Sequence, residues 1–376
     1  MQKQQDNTLK FNPVLHGFRA IAALAVVLFH WGSSIGFFPE LRQQLSVTVF
    51  NTAWDLGMVL DFGWLGVPVF FVLSGYLLTT QLLHRGLGVE RVKRFWLRRA
   101  LRIYPAYWLQ LLVLLILASR FSFMPQLTTS GDIARHVLLW INLPPWMTLP
   151  MNSVWWTLPV ELGFYLLLPL LVTGSNRFGW LRVFAAVIAI TLCWRYAVMW
   201  HYRGENYAAH QAVLDAIPGA LSTFCSGVAL AYFVTARGVA GESLRYLLLA
   251  VSLVLFYLMM CWLRSNLDSY WSSHWMLGVW NPIMGLLISV IMYTLIVPLN
   301  GFQWLSSGLL VWLGNISFGI YLWHYPLLML LDRTILSDWK SPWLNVLALA
   351  VTLAGTLVLA SISYYFVEKP LLDKKW

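Results

Sequence analysis

An arginine and a histidine share one face of an apolar stretch near the start of the chain. The stretch runs Val14-Leu-His-Gly-Phe-Arg19-Ala-Ile-Ala-Ala-Leu-Ala-Val-Val-Leu-Phe-His30-Trp31. In a helix, the eleven residues from Arg19 to His30 make about three turns, so both side chains leave the same face, roughly 16 Å apart along the axis. Ionisable groups inside an apolar run are costly and by default mark a functional path. An imidazole there can take the proton of a hydroxyl or carry an acyl group covalently. The guanidinium extends a polar path along the same face. The competing reading makes both residues buried structural groups with partners on neighbouring helices.

Two more ionisable residues fall at a similar depth in other apolar runs. Glu161 ends Ser153-Val-Trp-Trp156-Thr-Leu-Pro-Val-Glu161, about 12 Å in from the start of its run. His324 ends Asn315-Ile-Ser317-Phe-Gly-Ile-Tyr321-Leu-Trp-His324, about 24 Å along its run and level with His30. An unpaired carboxylate at that depth is expensive, so Glu161 is either protonated or paired. The expectation is one polar layer of His30, Glu161 and His324. In it Glu161 orients His30 or supports its cationic form, with His324 as the alternative partner.

A basic stretch, Arg91-Val-Lys93-Arg94-Phe-Trp-Leu-Arg98-Arg99-Ala-Leu-Arg102-Ile-Tyr104-Pro105, interleaves cations with aromatic and aliphatic residues. It reads as an amphipathic helix lying at the inner surface. It is either a topology signal resting on anionic lipid or a site for a phosphorylated cytoplasmic ligand, because arginine forks match phosphate oxygens. Arg99 and Arg102, one helical turn apart, suit a joint grip on one phosphate.

The elements that must position these residues are membrane helices. Of 376 residues, 59% are hydrophobic and 11% charged, and the mean hydropathy is +0.68. That composition excludes an ordinary soluble domain. Long apolar runs in place of strand-length alternation argue against a barrel. The expected fold is all-α, a single polytopic bundle over 1–376 embedded in the lipid bilayer. About ten spans fit, near 14–36, 58–82, 104–120, 153–173, 178–198, 215–236, 244–264, 276–297, 308–331 and 343–366, each able to cross a core of about 30 Å. Small residues in the run Gly63–Tyr76 suit close helix packing. The net charge of +10 is concentrated in the basic loop and is no nucleic-acid footprint. Cys193, Cys225 and Cys261 sit in apolar runs, with no disulfide framework or metal site expected. No cleavable signal peptide is evident. The 121–152 loop, with Trp140, Pro144, Pro145, Trp146 and Pro150, supplies interface anchors and aromatic surface for an acceptor. The closing Tyr364–Pro370 segment reads as an interface anchor.

The ordered set of motifs resembles one family. Arg19…His30, Phe70-Phe71-Val-Leu-Ser74-Gly75, Arg99-x-x-Arg102 followed by Ile-Tyr-Pro, Trp156-Thr-Leu-Pro-Val-Glu161, Ser317…Tyr321-Leu-Trp-His324 and Val367-Glu368-Lys369-Pro370 are similar to the acyltransferase-three family of integral membrane acyltransferases. The resemblance covers nearly the whole chain. One position departs: many members have an aspartate where this chain has Pro68. The resemblance is to the stand-alone membrane form, so no hydrolase-like domain is expected after the last span. The resemblance implies transfer of an acyl group, usually acetyl from acetyl-CoA, to a hydroxyl of an envelope polysaccharide or lipid-linked sugar at a bacterial inner membrane, without a metal. It implies catalytic roles for His30, Glu161 and His324, and donor-binding roles for Arg19, Arg99, Arg102 and Tyr104. The rival class is a transporter or flippase of a lipid-linked sugar that uses His and Glu as a proton relay. The lack of internal repeats speaks against it.

Lys and Arg divide 16 to 8 between alternate sides of the expected spans, which places both termini in the cytoplasm. Reporter fusions should report residue 376 inside and the 121–152 loop outside; the reverse at either point overturns this topology.

Overall fold

A computed structural model of the chain describes residues 12–34, 46–49, 52–55, 57–121, 127, 129–141, 148–272, 274–334 and 342–374. Pro144, Pro145 and Trp146 of the expected aromatic loop lie outside the described residues. The chain is a helical bundle. Its long helices are α1 (Pro13–Ser34), α2 (Gly66–Arg85), α3 (Val89–Ala118), the short α4 (Ser130–Val137), α5 (Thr157–Phe178), α6 (Trp180–His201), α7 (Ile217–Arg237), α8 (Glu242–Ser265), α9 (Met276–Leu295), α10 (Gly308–Asn315), α11 (Ser317–Thr334) and α12 (Pro342–Ser363). Two strands, β1 (Ser46–Val49) and β2 (Thr52–Asp55), pair antiparallel between α1 and α2. Among the described residues, nine helices are long and apolar enough to cross a membrane.

Two expected elements take a different form. The run expected at 308–331 is two helices, α10 and α11, that meet at Ile316. There the Ser317 hydroxyl donates to the Gly314 carbonyl at 2.8 Å. The basic stretch is no separate surface helix. It forms the first half of α3, which runs unbroken for 30 residues. Pro105 lies inside this helix and does not end it, although it supplies no N–H for the Leu101 carbonyl.

The bundle is layered by apolarity in the order expected for lipid. The α8 helix is the most apolar, with mean hydropathy 2.3, yet 22% of its apolar window is buried; for α7 the values are 1.6 and 67%. The helices with most small and polar residues therefore fill the centre, and the most greasy ones form the rim. At the centre, α2 and α7 cross closely. A Cβ on Gly75 would stand 2.0 Å from the Phe224 carbonyl oxygen, and one on Gly227 would stand 2.0 Å from that of Val72. Around this crossing Phe71, Phe224 and Phe164 stack in sequence at 4.1 and 4.2 Å, tying α2, α7 and α5 together. The α1 helix packs against α2, α10 and α11, so its polar face is enclosed by protein.

Gly75→Ala should push α2 and α7 apart and lower stability by about 1–3 kcal/mol, the usual cost of overpacking. Thermal unfolding in detergent checks it. Gly88→Ala, at a position with no neighbour within 4 Å, should leave the midpoint unchanged.

Candidate active site

His30 and His324 meet across the α1–α11 contact. The Nδ1 of His30 lies 3.0 Å from the Val26 carbonyl and 3.1 Å from Nε2 of His324. The Nδ1 of His324 lies 3.0 Å from the Ile320 carbonyl. Carbonyls only accept, so each Nδ1 carries a proton. His324 Nε2 is then an acceptor, and the His30 Nδ1–H is shared between it and Val26. This fixes the His30 tautomer with its lone pair on Nε2. Among the described residues no group occupies that nitrogen, and His30 lines a cavity of about 1100 Å³. His324 is fully buried. It positions the His30 ring and does not itself line the cavity.

The carbonyl of Leu322, on α11, is held from outside its helix. Pro326 lacks the N–H that would normally bond it. Gln110 Nε2 and Asn152 Nδ2 donate to it at 2.6 and 3.0 Å. Trp155 Nε1 in turn donates to Gln110 Oε1 at 2.7 Å. These contacts join α11 to α3 and to the turn before α5, close to His324 in the chain.

Glu161 does not reach His30. Its Oε1 accepts from the hydroxyls of Tyr165 and, at 3.3 Å, Ser74. It lines a smaller cavity of about 100 Å³ together with Arg19, Arg99, Arg102, Ser317 and Tyr321. Helical spacing gave its depth correctly enough to place it near the layer, but its side chain faces the arginines. The expected pairing of Glu161 with His30 is therefore replaced by His324 with His30. The two cavities share Val67, Phe71 and Tyr321 as a common wall.

The arginines differ in how they are satisfied. Arg102 Nη1 pairs with Glu368 Oε2 at 2.8 Å, and its guanidinium lies over the Phe318 ring. Glu368 is wholly buried. The C-terminal segment is thus a packed ion-pair partner of α3, which corrects its reading as an interface anchor. Arg19 Nε donates to the Ser317 hydroxyl at 3.2 Å. Arg99 lies beside the Phe95 and Tyr165 rings at 6.0 and 5.9 Å. Its Nε is buried without a hydrogen-bond partner among the described residues. Arg99 also lines a third cavity, of about 410 Å³, at the α2–α3 turn with Arg85, Arg91, Arg94 and Arg98. Tyr104 is elsewhere. Its hydroxyl donates to the Leu138 carbonyl at 3.2 Å and its ring packs on Trp108, so it does not line the arginine cavity.

The site therefore consists of three cavities in a row: an arginine cluster, a polar neck around Glu161, and a roomy cavity carrying His30. Of the residues singled out in the sequence, the structure brings His30 and His324 into contact and puts Arg19, Arg99, Arg102 and Glu161 on one small cavity. Sequence reasoning missed Tyr165 as the partner of Glu161, although a tyrosine one turn after a buried acid is a readable signal. It also missed Glu368 as the partner of Arg102.

The chain belongs to the acyltransferase-three family, described as an acyltransferase domain, whose profile matches residues 12–364. It is thus a membrane-type member of a family of acyltransferases. It is similar to YrhL of Bacillus subtilis, provisionally named a peptidoglycan O-acetyltransferase, at 28% identity over 96% of this chain and 55% of that protein. It is similar to the peptidoglycan O-acetyltransferase OatA of Listeria monocytogenes at 24% identity over 99% of this chain and 57% of that protein. The chain spans little more than half the length of these relatives. No solved structure matches it.

Glu368→Gln should leave the Arg102 charge uncompensated and cost about 3–5 kcal/mol, the penalty for breaking a buried pair. Loss of folded protein after detergent extraction checks this. An unchanged melting midpoint would make the pair a solvated contact.

Proposed function

We propose that the protein is an O-acyltransferase. It moves an acyl group, acetyl in the simplest case, from cytoplasmic acyl-CoA to a hydroxyl of an envelope polysaccharide or lipid-linked sugar. The bacterial inner membrane, with both termini cytoplasmic, is its setting. The observation that carries this reading is the row of cavities running from the arginine cluster to the open Nε2 of His30.

The arginine cavity fits the anionic end of a nucleotide thioester. Among the described residues, its lining holds Arg85, Arg91, Arg94, Arg98 and Arg99 and no acidic residue. Guanidinium groups hold phosphates through paired N–H donors. Arg99, which borders both this cavity and the neck, directs the pantetheine-like arm inward, and Arg19 continues the polar path toward His30. Tyr104 has no part in donor binding, because it faces the segment after α4.

At the far end, His30 Nε2 accepts the proton of the acceptor hydroxyl as its oxygen attacks the thioester carbonyl. The C–S bond then breaks, and the proton held by His30 passes to the departing thiolate. The new ester stays on the acceptor and the thiol leaves, so the histidine is returned neutral. The His324 ring favours this by taking the Nδ1–H of His30, which keeps the lone pair on Nε2 facing the cavity. A general base in this position contributes about 10²–10⁴-fold. Glu161 belongs to the neck. It holds Tyr165 and Ser74 and balances part of the arginine charge beside the passing donor.

The names of the relatives support an envelope glycan as acceptor, since two of those compared are named for O-acetylation of peptidoglycan. The transporter reading has no specific observation in its favour.

The test uses purified protein with radiolabelled acetyl-CoA and cell-wall glycan. His30→Gln should lower transfer by about 10²-fold or more while donor affinity stays near wild type. His324→Gln should lower it less, because it acts through His30. Arg99→Gln should weaken acyl-CoA binding by about 1.5–3 kcal/mol, the scale of a lost charged hydrogen bond. Near-normal transfer by His30→Gln, or absence of any transfer or acyl-CoA hydrolysis by the wild type, overturns the proposal.

A further inference from the structure

The geometry points to a subsite for an uncharged sugar ring in the His30 cavity, built on Asp215 and Asn281 and held in place from behind by Arg195. The subsite deepens the acyltransferase reading by saying which residues grip the acceptor, and its binding is measurable without any acyl transfer.

Arg195, on α6, is almost fully buried and makes three contacts. Its Nε donates to the Leu277 carbonyl at 3.0 Å, and its Nη1 donates to Asp215 Oδ1 at 2.6 Å and more weakly to the Leu214 carbonyl at 3.4 Å. Asn281 Nδ2 also donates to Asp215 Oδ1, at 3.1 Å, and to the Gly219 carbonyl at 2.9 Å. Every contact to the carboxylate thus falls on Oδ1. Among the described residues, Asp215 Oδ2 and Asn281 Oδ1 have no donor. Both side chains line the cavity. Two acceptor oxygens left unfilled on a fixed frame are the complement of adjacent hydroxyls. Both residues are partly buried, so these oxygens can accept from a hydroxyl that enters the cavity.

The neighbouring wall is aromatic. Trp64 and Trp280 stand 6.2 Å apart at 34°, and Tyr270 meets Trp280 edge-on at 5.6 Å. A sugar ring presents exactly the two surfaces this wall needs filled, hydroxyls at its rim and an apolar C–H face. Large aromatic faces pack on the latter.

Charge separates this cavity from the arginine cavity. Among the described residues, the acidic and guanidinium groups lining it are Asp61, Asp215, Arg195 and Arg264, two of each sign. It offers no net attraction to a phosphate or carboxylate. The described residues lining the α2–α3 cavity, by contrast, include five arginines and no acid. The anionic substrate is thus drawn to one end and the uncharged ring to the other. The His30 cavity, at about 1100 Å³, exceeds what one drug-sized ligand needs, about 300–1000 Å³, so a ring at Asp215 leaves room for the acceptor hydroxyl near His30.

The experiment titrates the full chain in nanodiscs with the methyl glycoside of an uncharged N-acetylglucosamine disaccharide, followed by tryptophan fluorescence and calorimetry. Asp215→Asn and Asn281→Ala should each weaken binding by about tenfold or more, the scale of a lost hydrogen bond. In transfer assays they should raise KM for the glycoside with kcat and acyl-CoA affinity unchanged, a split that general loss of structure does not produce. Should Asp215→Asn fail to fold because Arg195 is left charged, the paired change Arg195→Gln with Asp215→Asn keeps the cluster neutral, and Asn281→Ala decides independently. Wild-type affinity in the folded variants, no saturable binding to the wild type, or tighter binding of the 1-phosphate of the same sugar overturns the inference. A wild type that binds the glycoside but never acylates it would instead sink the acyltransferase reading and leave the subsite standing.

Discussion

Pro326 leaves the Leu322 carbonyl without a helical partner in the middle of an apolar bundle, and much of the site hangs on how that vacancy is filled. An unpaired carbonyl in such surroundings costs several kcal/mol. Gln110 and Asn152 supply the missing donors, and Trp155 fixes Gln110. This locks α11 in rotation against α3 and the start of α5. With α11 fixed, His324 faces α1, and the proton arrangement of His30 follows from its neighbours. A local backbone defect is thereby converted into the orientation of a ring on a different helix.

The same device recurs. Pro169 frees the Tyr165 carbonyl, and Trp96 Nε1 takes it at 3.0 Å, tying α5 to α3 beside the Glu161 neck. A related contact closes a helix end: the Thr294 carbonyl, in the last turn of α9, accepts from Arg245 Nη1 at 3.0 Å, tying α8 to the end of α9. Between helices in lipid there is little hydrophobic drive to choose one rotation over another, because lipid tails are as apolar as leucine. Hydrogen bonds to carbonyls released by proline provide that choice. The glycine crossing of α2 and α7 sets how close the central helices come; the proline-freed carbonyls set how the outer ones turn.

What could be read from the sequence follows from this division. Helical rise fixes depth, so His30 and His324 were legible as one layer from counting alone. Rise does not fix which neighbour a side chain faces. Glu161 was accordingly placed near the right depth and given the wrong partner. Charge density misled in two places. The basic stretch looked like a separate surface helix because a segment rich in arginine is a poor membrane span, yet it continues into the apolar half of α3 without a break. The end of the chain looked like an interface anchor because charged Glu368 and Lys369 follow a tyrosine pair, yet Glu368 is buried against Arg102, a residue 266 positions earlier. No local pattern announces a partner at that separation. The break between α10 and α11 was hidden for the opposite reason: both halves are apolar, so the run reads as one.

The three arginines around the neck show how one residue type serves different ends. Burying a guanidinium is tolerable only where its charge and N–H groups are answered. Arg102 is answered by a carboxylate and so joins the C-terminal segment to α3. Arg19 is answered by a neutral hydroxyl, which leaves its charge available along the α1 face. Arg99 has ring faces beside it, Glu161 on the wall of the same small cavity and an Nε with no acceptor among the described residues, and it borders two cavities at once. A cation placed this way is stabilised most by an anion arriving from outside the protein. Arg99 and Arg102, which look equivalent in sequence, thus differ in their surroundings: among the described residues Arg102 has a carboxylate partner and Arg99, at the mouth of the neck, has no ion pair.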